Sequence, residues 1–385
     1  MLASPPMLPL LDWLRPRERA MTRLLGQFVR AGSPSFEKAA VDRFGKMLAT
    51  EWKRRGTKVT LLRQSDRGDH IRAEWNPGGR KSKGQVLVLG HLDTVYGAGT
   101  LARMPFRVSR GRAYGPGTFD MKGGLVIALF AVDALRAAGS PPLKRVIFLW
   151  TSDEEIGSGT SRAAIEREAR RSNAVLVLEP ASGLDGRVKT GRKGVGEIEI
   201  VATGRAAHAG LHPEGGINAI EEIARQITIL SRWDHPSRGI TVNPGVIEGG
   251  TRTNVIPESA RVLVDVRAAH AEDMRALEQS FHSLRPILPG AKLKIRGGFS
   301  RPPLERKNSA ALYAKARALA GEMGVTLDEA FVGGGSDGNF TAALDVPTLD
   351  GLGAVGEGAH SPEENIVIHK LPERAALLAG LLASI

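Results

Sequence analysis

The 385-residue chain contains no cysteine, which excludes disulfides, thiolate zinc sites, iron–sulfur clusters and cysteine nucleophiles. Any metal ion must therefore be bound by histidine and carboxylate side chains. Aromatic residues make up only 5% of the sequence, and no known nucleic-acid-binding module accompanies its basic clusters. Lys and Arg outnumber Asp and Glu by 53 to 41. We assign this excess to a solvated surface that also attracts anionic substrates, and we expect no nucleic-acid partner.

The sequence also lacks a long apolar segment. No apolar run reaches the roughly 18–20 residues that a membrane-spanning helix needs, so we expect no membrane partner. The first fourteen residues contain three prolines and no basic residue at their start, which argues against a secretory signal. These features predict a cytoplasmic protein.

Two domains are expected, because a chain of this length exceeds what one hydrophobic core usually supports. Short apolar runs occur at 86–89, 146–150 and 174–178, separated by helix-like segments such as 124–138. Runs of this kind are typical of strands that are buried on both faces of a mostly parallel sheet. Residues 1–193 and 303–385 are therefore predicted to form one discontinuous α/β domain.

The middle of the chain has a different pattern. Polar and apolar residues alternate at 197–201, 261–266 and 292–295, as in half-exposed antiparallel strands. The remaining predicted elements are a strand at 240–247 and amphipathic helices at 217–231 and 271–284. The resulting order, β-α-β-β-α-β, predicts a ferredoxin-like α+β insertion at 194–302.

Ligand-type residues follow each of the three apolar runs. The first run ends in His91-Leu-Asp93, the second leads to Glu154-Glu155, and the third leads to Glu179. Because the carboxyl ends of parallel strands meet at one edge of a sheet, we expect these side chains to lie close together.

Two Gly-rich segments add further candidates, Asp120 and His360. Two imidazoles with several carboxylates suit zinc, and also cobalt or manganese, better than calcium or magnesium. On an extended segment Asp93 points the same way as His91 and can accept a hydrogen bond from the imidazole nitrogen that faces away from a metal. Glu154 and Glu155 point to different sides, so one can bind metal while the other acts as a general base.

Six short motifs resemble those of the zinc exopeptidase family that contains glutamate carboxypeptidase (carboxypeptidase G), acetylornithine deacetylase and succinyl-diaminopimelate desuccinylase. They occur in order along nearly the whole chain. They are G-H-L-D-T-V (90–95), G-x-G-x-x-D-M-K-G-G (115–124), D-E-E-x-G-S (153–158), L-E-P (178–180), A-x-H-A-G (206–210) and A-H-S-P-x-E (359–364). Within the family, E-P at 179–180 and V-G-G-G-S-D at 332–337 resemble the glutamate carboxypeptidase branch most.

The resemblance implies a role for each residue of the metal site. Asp120 would bridge two zinc ions, Glu154 would be the general base, and Asp93 would orient His91. The remaining ligands would be His91 and Glu179 at one zinc, and His360 and Glu155 at the other.

The resemblance also implies contacts with substrate. His208, in the insertion, resembles the family histidine that stabilises the oxyanion in the neighbouring subunit's active site, which implies a homodimer. Asn254 and Arg267 resemble contacts to the substrate carboxylate. Arg301 and Arg187 lie near positions that bind substrate acid groups in the carboxypeptidase branch, although Arg187 stands where that branch has lysine.

These features predict a two-zinc metallopeptidase that releases a C-terminal amino acid, with glutamate as the first candidate, from a small peptide or N-acyl amino acid. One alternative is a deacylase of the acetylornithine or succinyl-diaminopimelate type. Another is a binding protein without catalytic activity on the same scaffold. The binding protein would have lost a ligand or the base, yet every such position is filled.

Overall fold

The computed structural model describes residues 6–79, 82 and 84–385. The chain folds into two units. The first unit comprises Met1–Gly191, Arg306–Phe331 and Ser336–Ile385, and the second comprises Arg192–Glu305 and Val332–Gly335. Within the described ranges, no helix is both long enough and apolar enough to cross a bilayer.

The helices and strands alternate in the first part of the chain, and strands dominate in the middle. In chain order the helices are α1 (Met7–Leu14), α2 (Glu18–Ala31), α3 (Lys38–Arg54), α4 (Thr100–Arg103), α5 (Gly123–Ala137), α6 (Arg162–Ala169), α7 (Ala219–Leu230), α8 (Ala271–Ser283), α9 (Ala310–Glu322), α10 (Gly338–Ala342) and α11 (Lys370–Ser384). The strands are β1 (Lys58–Leu62), β2 (His70–Trp75), β3 (Gln85–His91), β4 (Arg107–Ser109), β5 (Arg112–Tyr114), β6 (Arg145–Thr151), β7 (Ala174–Val177), β8 (Val188–Arg192), β9 (Gly194–Thr203), β10 (Ala207–His208), β11 (Thr241–Gly249), β12 (Val255–Ile256), β13 (Ser259–Ala268), β14 (Lys292–Arg301), β15 (Glu329–Val332), β16 (Thr348–Leu349), β17 (Gly356–Glu357) and β18 (Asn365–Val367).

The first unit is built on a six-stranded sheet in the order β1-β2-β6-β3-β7-β16. Strand β3 is parallel to β6 and β7, and β16 is parallel to β7. Strands β1 and β2 add an antiparallel edge. The predicted α/β class with a mostly parallel sheet is therefore confirmed.

Apolar residues on both faces explain why the central strands of this sheet are buried. In β3, Val86 and Val88 face a core shared with α5 and α11, whereas Leu87 and Leu89 face a second core shared with α6 and α10. Successive side chains of a strand point to opposite faces, so a continuous apolar run is what two covering helix layers require.

The second unit is built on an antiparallel sheet in the order β11-β13-β9-β14. With α7 and α8 in the two crossovers, this is the predicted ferredoxin-like α+β arrangement. Ile198 and Ile200 of β9 are buried in one core with Ile223 of α7 and Phe281 of α8, while Glu197 is exposed. The alternation in the sequence thus reflects one covered and one open face of the sheet.

Helix α7 begins at Ala219, two residues later than the apolar periodicity predicts. Asn218 explains the difference, because its side-chain oxygen accepts a hydrogen bond from the backbone N–H of Glu221 at 3.1 Å. This N-cap satisfies a backbone donor that the helix leaves unpaired, and it fixes the first turn.

Candidate metal centre

Three strand ends of the first unit carry the predicted ligands. Strand β3 ends at His91, Glu179 follows β7 closely, and Glu154 and Glu155 form a short 3-10 turn directly beyond β6. Because β3 runs parallel to both β6 and β7, these residues lie at the same edge of the sheet. This is the edge at which open α/β sheets bind ligands.

Glycines bring a fourth predicted ligand, Asp120, to this edge. Gly117 has a φ of 72°, a left-handed conformation that glycine adopts without steric cost and that turns the chain toward Asp120. At Gly124, the second residue of α5, an added Cβ would lie 2.4 Å from the carbonyl oxygen of Leu178. A side chain there would push α5 away from the end of β7, so glycine is required next to Glu179, the predicted ligand that follows Leu178.

The structure brings all five predicted metal ligands together in two groups that share Asp120. In the first group, His91 Nε2 lies 3.1 Å from Asp120 Oδ1 and 3.5 Å from Glu179 Oε1. In the second, His360 Nε2 lies 3.5 Å from Asp120 Oδ2 and 3.1 Å from Glu155 Oε2. Within each group the donor atoms all lie within 4.8 Å of one another. Asp120 thus presents one oxygen to each group, which is the arrangement of a bridging ligand.

The electrostatics of these groups favour a bound cation. Hydrogen bonds to Asp120 and Glu155 raise the pKa of His360 to about 10. Burial opposes ionisation of Asp120, but hydrogen bonds from His360 and His91, with the charge of Lys189, hold its pKa well below the usual range. The carboxylates of both groups favour a positive charge beside them. A proton on each imidazole or a metal ion between the donor atoms would supply it.

The types of donor in the two groups, and one buried oxygen without a hydrogen-bond partner, are consistent with bound metal ions. Oε1 of Glu155 is buried, and it has no hydrogen-bond partner among the described residues. A buried carboxylate oxygen without a partner is costly unless a ligand satisfies it. Imidazole nitrogens and carboxylate oxygens in groups of three are the donors that zinc uses in proteins.

Asp93 organises both His91 and the turn that carries the two glutamates. His91 Nδ1 lies 3.0 Å from the backbone carbonyl of Asp93 and 3.5 Å from its carboxylate. The carboxylate itself accepts hydrogen bonds from the backbone N–H groups of Glu154 and Glu155, each at 3.3 Å, and from the hydroxyl of Ser35 at 2.8 Å. The contact to His91 was expected from the sequence, but the support of the Glu154–Glu155 turn was not.

The sequence motifs give no role to Glu364 or Tyr96, although Glu364 closes one motif and Tyr96 directly follows another. The buried carboxylate of Glu364 accepts hydrogen bonds from the backbone N–H of Asp120 at 3.0 Å and from the hydroxyl of Tyr96. Burial raises the pKa of Glu364 to about 6, although the hydrogen bonds that it accepts lower it. Glu364 closes A-H-S-P-x-E and Tyr96 follows G-H-L-D-T-V, so position beside a motif was the available signal.

His208 and Asn254 lie next to each other in the second unit. Strand β10 pairs His208 with Val255, and the backbone carbonyl of Asn254 accepts a hydrogen bond from the N–H of Ala209 at 3.1 Å. His208 is exposed, and its Nδ1 accepts hydrogen bonds from the backbone N–H groups of two following residues at 3.1 and 3.2 Å. These donors favour the tautomer with hydrogen on Nε2, which makes Nε2 a hydrogen-bond donor.

The three arginines have different surroundings. In the second unit, Arg267 pairs through two nitrogens with Asp265, at 2.9 and 3.2 Å, and donates to the carbonyl of Gly333. Arg301 is buried in the same unit. In the first unit, Arg187 pairs with Asp185 at 3.1 Å on its own turn. Arg267 and Arg187 are thus each paired with an aspartate two residues away.

Comparisons with known proteins identify relatives of the chain. The model of "Peptidase family M20/M25/M40" matches residues 87–384. The chain is 32% identical to carboxypeptidase G2 from Pseudomonas sp. (strain RS-16), over 94% of this chain and 88% of that protein. It is 30% identical to acetylornithine deacetylase from Proteus mirabilis (strain HI4320), over 78% of this chain and 79% of that protein.

A solved structure shows the same fold. The aminopeptidase PepT from Bacillus cereus ATCC 10987 superimposes with a TM-score of 0.80 at 22% identity, covering 95% of this chain and 98% of that one. The match of the family model covers well over half of the chain, and both curated relatives align over more than two thirds of it. The chain therefore belongs to peptidase family M20/M25/M40 and is a hydrolase, which confirms the resemblance that its motifs indicate.

Proposed function

We propose that this protein is a two-zinc carboxypeptidase that releases a C-terminal amino acid, glutamate being the first candidate, from a small peptide or N-acyl amino acid. The observation that carries the proposal is the pair of three-donor groups that share Asp120. The similarity to carboxypeptidase G2 over 94% of the chain supports the carboxypeptidase class. Cobalt or manganese suits the same donors.

The chain's own residues would divide the chemistry between them. Metal ions bound in the two groups would lower the pKa of water and polarise the amide carbonyl. Glu154, beside the ligand Glu155 and held by the carboxylate of Asp93, would take the proton from the attacking water and deliver it to the leaving nitrogen. Asp93 would keep His91 and the Glu154–Glu155 turn in fixed relation, so that base and ligands are positioned before substrate binds.

Recognition of the substrate carboxylate would rest on guanidinium groups. A guanidinium binds a carboxylate through two parallel hydrogen bonds, which fixes its orientation. Arg301 is one candidate, because its burial would strengthen an interaction with an anion. Arg267 would have to exchange its pair with Asp265 for the substrate, and Arg187 its pair with Asp185, unless their roles are structural. Asn254 would add an amide donor.

A homodimer formed through the second unit is part of the same proposal. Strand β11 lies at the edge of its sheet, and Val246 and Ile247 on it are 47% and 54% exposed. Edge strands with exposed apolar residues favour pairing with another chain. In a dimer, His208 of one subunit would donate from Nε2 to the oxyanion in the other.

A panel of substrates tests the proposed function. Acyl-glutamate, acyl-aspartate and N-acetylornithine substrates would be assayed before chelation, after chelation and after zinc is restored. We expect chelation to abolish release of glutamate and zinc to restore it. The similarity to acetylornithine deacetylase makes the deacylase the second candidate, and preferential cleavage of N-acetylornithine would select it. No turnover of any substrate by the zinc-loaded protein would contradict both and support a binding protein.

His208→Ala tests the oxyanion contact. We expect kcat to fall by about 100- to 1,000-fold with little change in zinc content, since loss of one oxyanion donor has effects of this size. His212 is also exposed, and its backbone N–H donates to the carbonyl of His208, so His212→Ala provides the matched control. Wild-type kcat in His208→Ala would show that this histidine takes no part in the reaction.

A further inference from the structure

Glu364 has a buried carboxylate that is hydrogen-bonded to segments around the candidate metal centre. Its Oε1 accepts from the backbone N–H groups of Phe119, at 2.8 Å, and Asp120, at 3.0 Å. Its Oε2 accepts from the backbone N–H of Gly117, at 3.2 Å, and from the hydroxyl of Tyr96. The side chain is fully buried.

Four donors compensate a charge that would otherwise be costly to bury. An ionised carboxylate away from water needs hydrogen bonds or a partner charge, and backbone N–H groups supply them here. Three of these donors belong to Gly117–Asp120, the segment that ends at the shared ligand. The carboxylate of Glu364 therefore determines where the backbone of Asp120 lies.

The segment that carries Glu364 also carries another ligand. Strands β17 and β18 form an antiparallel hairpin, and His360 lies in its loop, four residues before Glu364. Strand β18 pairs in turn with β5, which leads directly into the Gly117–Asp120 segment. The backbone N–H of Gly115 donates to the carbonyl of Glu364 at 3.2 Å. Both the main chain and the side chain of Glu364 therefore hold this segment against the residues that lead to Asp120.

We propose that Glu364 is a positioning residue that fixes Asp120 and His360 relative to each other and thereby sets the zinc affinity of the centre. Its side-chain hydrogen bonds go to Tyr96 and to the Gly117–Asp120 segment, so it would act through the ligands on the two segments that it joins. This inference rests on the proposed function, because it assumes that zinc ions bind in the two groups that share Asp120.

Glu364→Gln is the direct test. An amide has one oxygen and a nitrogen that only donates, so at least one backbone N–H that now reaches Glu364 loses its acceptor. We expect zinc to bind about 10- to 100-fold more weakly, the usual loss when a partner that orients metal ligands is removed. Affinity and stoichiometry would be measured by titrating the metal-free protein with zinc against a chromophoric chelator.

Glu363→Gln is the matched control, since it makes the same chemical change one residue earlier. Glu363 is 79% exposed, and its only ion pair among the described residues is a 3.8 Å contact with Arg107. We expect this variant to bind zinc as the wild type does. Tyr96→Phe removes a single donor to Glu364 and is expected to weaken zinc binding by about 2- to 10-fold.

The outcomes separate this inference from the proposed function. A folded Glu364→Gln protein with wild-type zinc affinity overturns the inference, even if its thermal stability is lower, because a purely structural role predicts that result. If Glu364→Gln does not fold, Tyr96→Phe decides, and unchanged zinc affinity in that variant overturns the inference. A wild type that binds fewer than two zinc ions contradicts the proposed function itself.

Discussion

Glu154→Gln is expected to lower kcat by about 100- to 10,000-fold while the protein keeps two zinc ions per chain, because a positioned general base contributes a factor of this size. The change corresponds to about 3–5 kcal/mol in the activation free energy. Glutamine has nearly the shape of glutamate, and the backbone N–H of Glu154 would still donate to the carboxylate of Asp93. The loss would therefore report the missing base rather than a displaced turn.

Glu155→Gln is the informative comparison, because it makes the same substitution on the same turn. Glu155 Oε2 lies 3.1 Å from His360 Nε2 in the second ligand group, so this variant is expected to lose zinc affinity. Steady-state kinetics and zinc content of both variants would be measured after loading with excess zinc. Wild-type kcat in Glu154→Gln, or loss of zinc from Glu154→Gln rather than from Glu155→Gln, would show that the two roles are wrongly assigned.

The proximity of the candidate ligands at the strand ends could be predicted, because two simple physical rules place them. Buried parallel strands are recognised by their continuous apolar runs, and their carboxyl ends meet at one edge. His91, Glu155 and Glu179 follow such runs directly, so their proximity needs no knowledge of the loops. Asp120 and His360 entered the predicted set through their Gly-rich segments, and the family resemblance supplied the roles expected of them.

The contacts of Glu364 and Arg187 depend on where loops meet. The periodicity of apolar residues, which predicts helices and strands, carries no information about this. The carboxylate of Glu364 meets the segment that ends at Asp120 only because β18 pairs with β5, residues far apart in the sequence. Arg187 was predicted to contact substrate, but its pair with Asp185 depends on the conformation of their shared turn. Side-chain pairing in turns depends on backbone angles that composition alone does not determine.

Asp120→Ala is expected to abolish activity and to reduce bound zinc below one ion per chain. Asp120 presents Oδ1 to His91 and Oδ2 to His360, so its removal takes one donor from each ligand group at once. The loss of zinc affinity should exceed the about 10- to 100-fold that follows removal of a residue that only orients a ligand. The carboxylate of Asp120 also helps to raise the pKa of His360 to about 10, which shows that it attracts positive charge. Its removal would therefore weaken the electrostatic attraction of the site for a metal cation.

Glu179→Ala and Glu155→Ala are the controls for Asp120→Ala. They distinguish a ligand shared by both groups from a ligand that belongs to one group. Each of these glutamates belongs to a single group, so each variant should keep about one zinc ion per chain in the group that remains intact. Zinc content after extensive dialysis, together with the circular dichroism of each metal-free protein, would distinguish loss of a ligand from loss of the fold. If Asp120→Ala retained one zinc ion with the affinity seen in either glutamate variant, Asp120 would serve only one ion. The two groups would then be independent sites, and a mechanism that requires two metals joined by a common carboxylate would have to be abandoned.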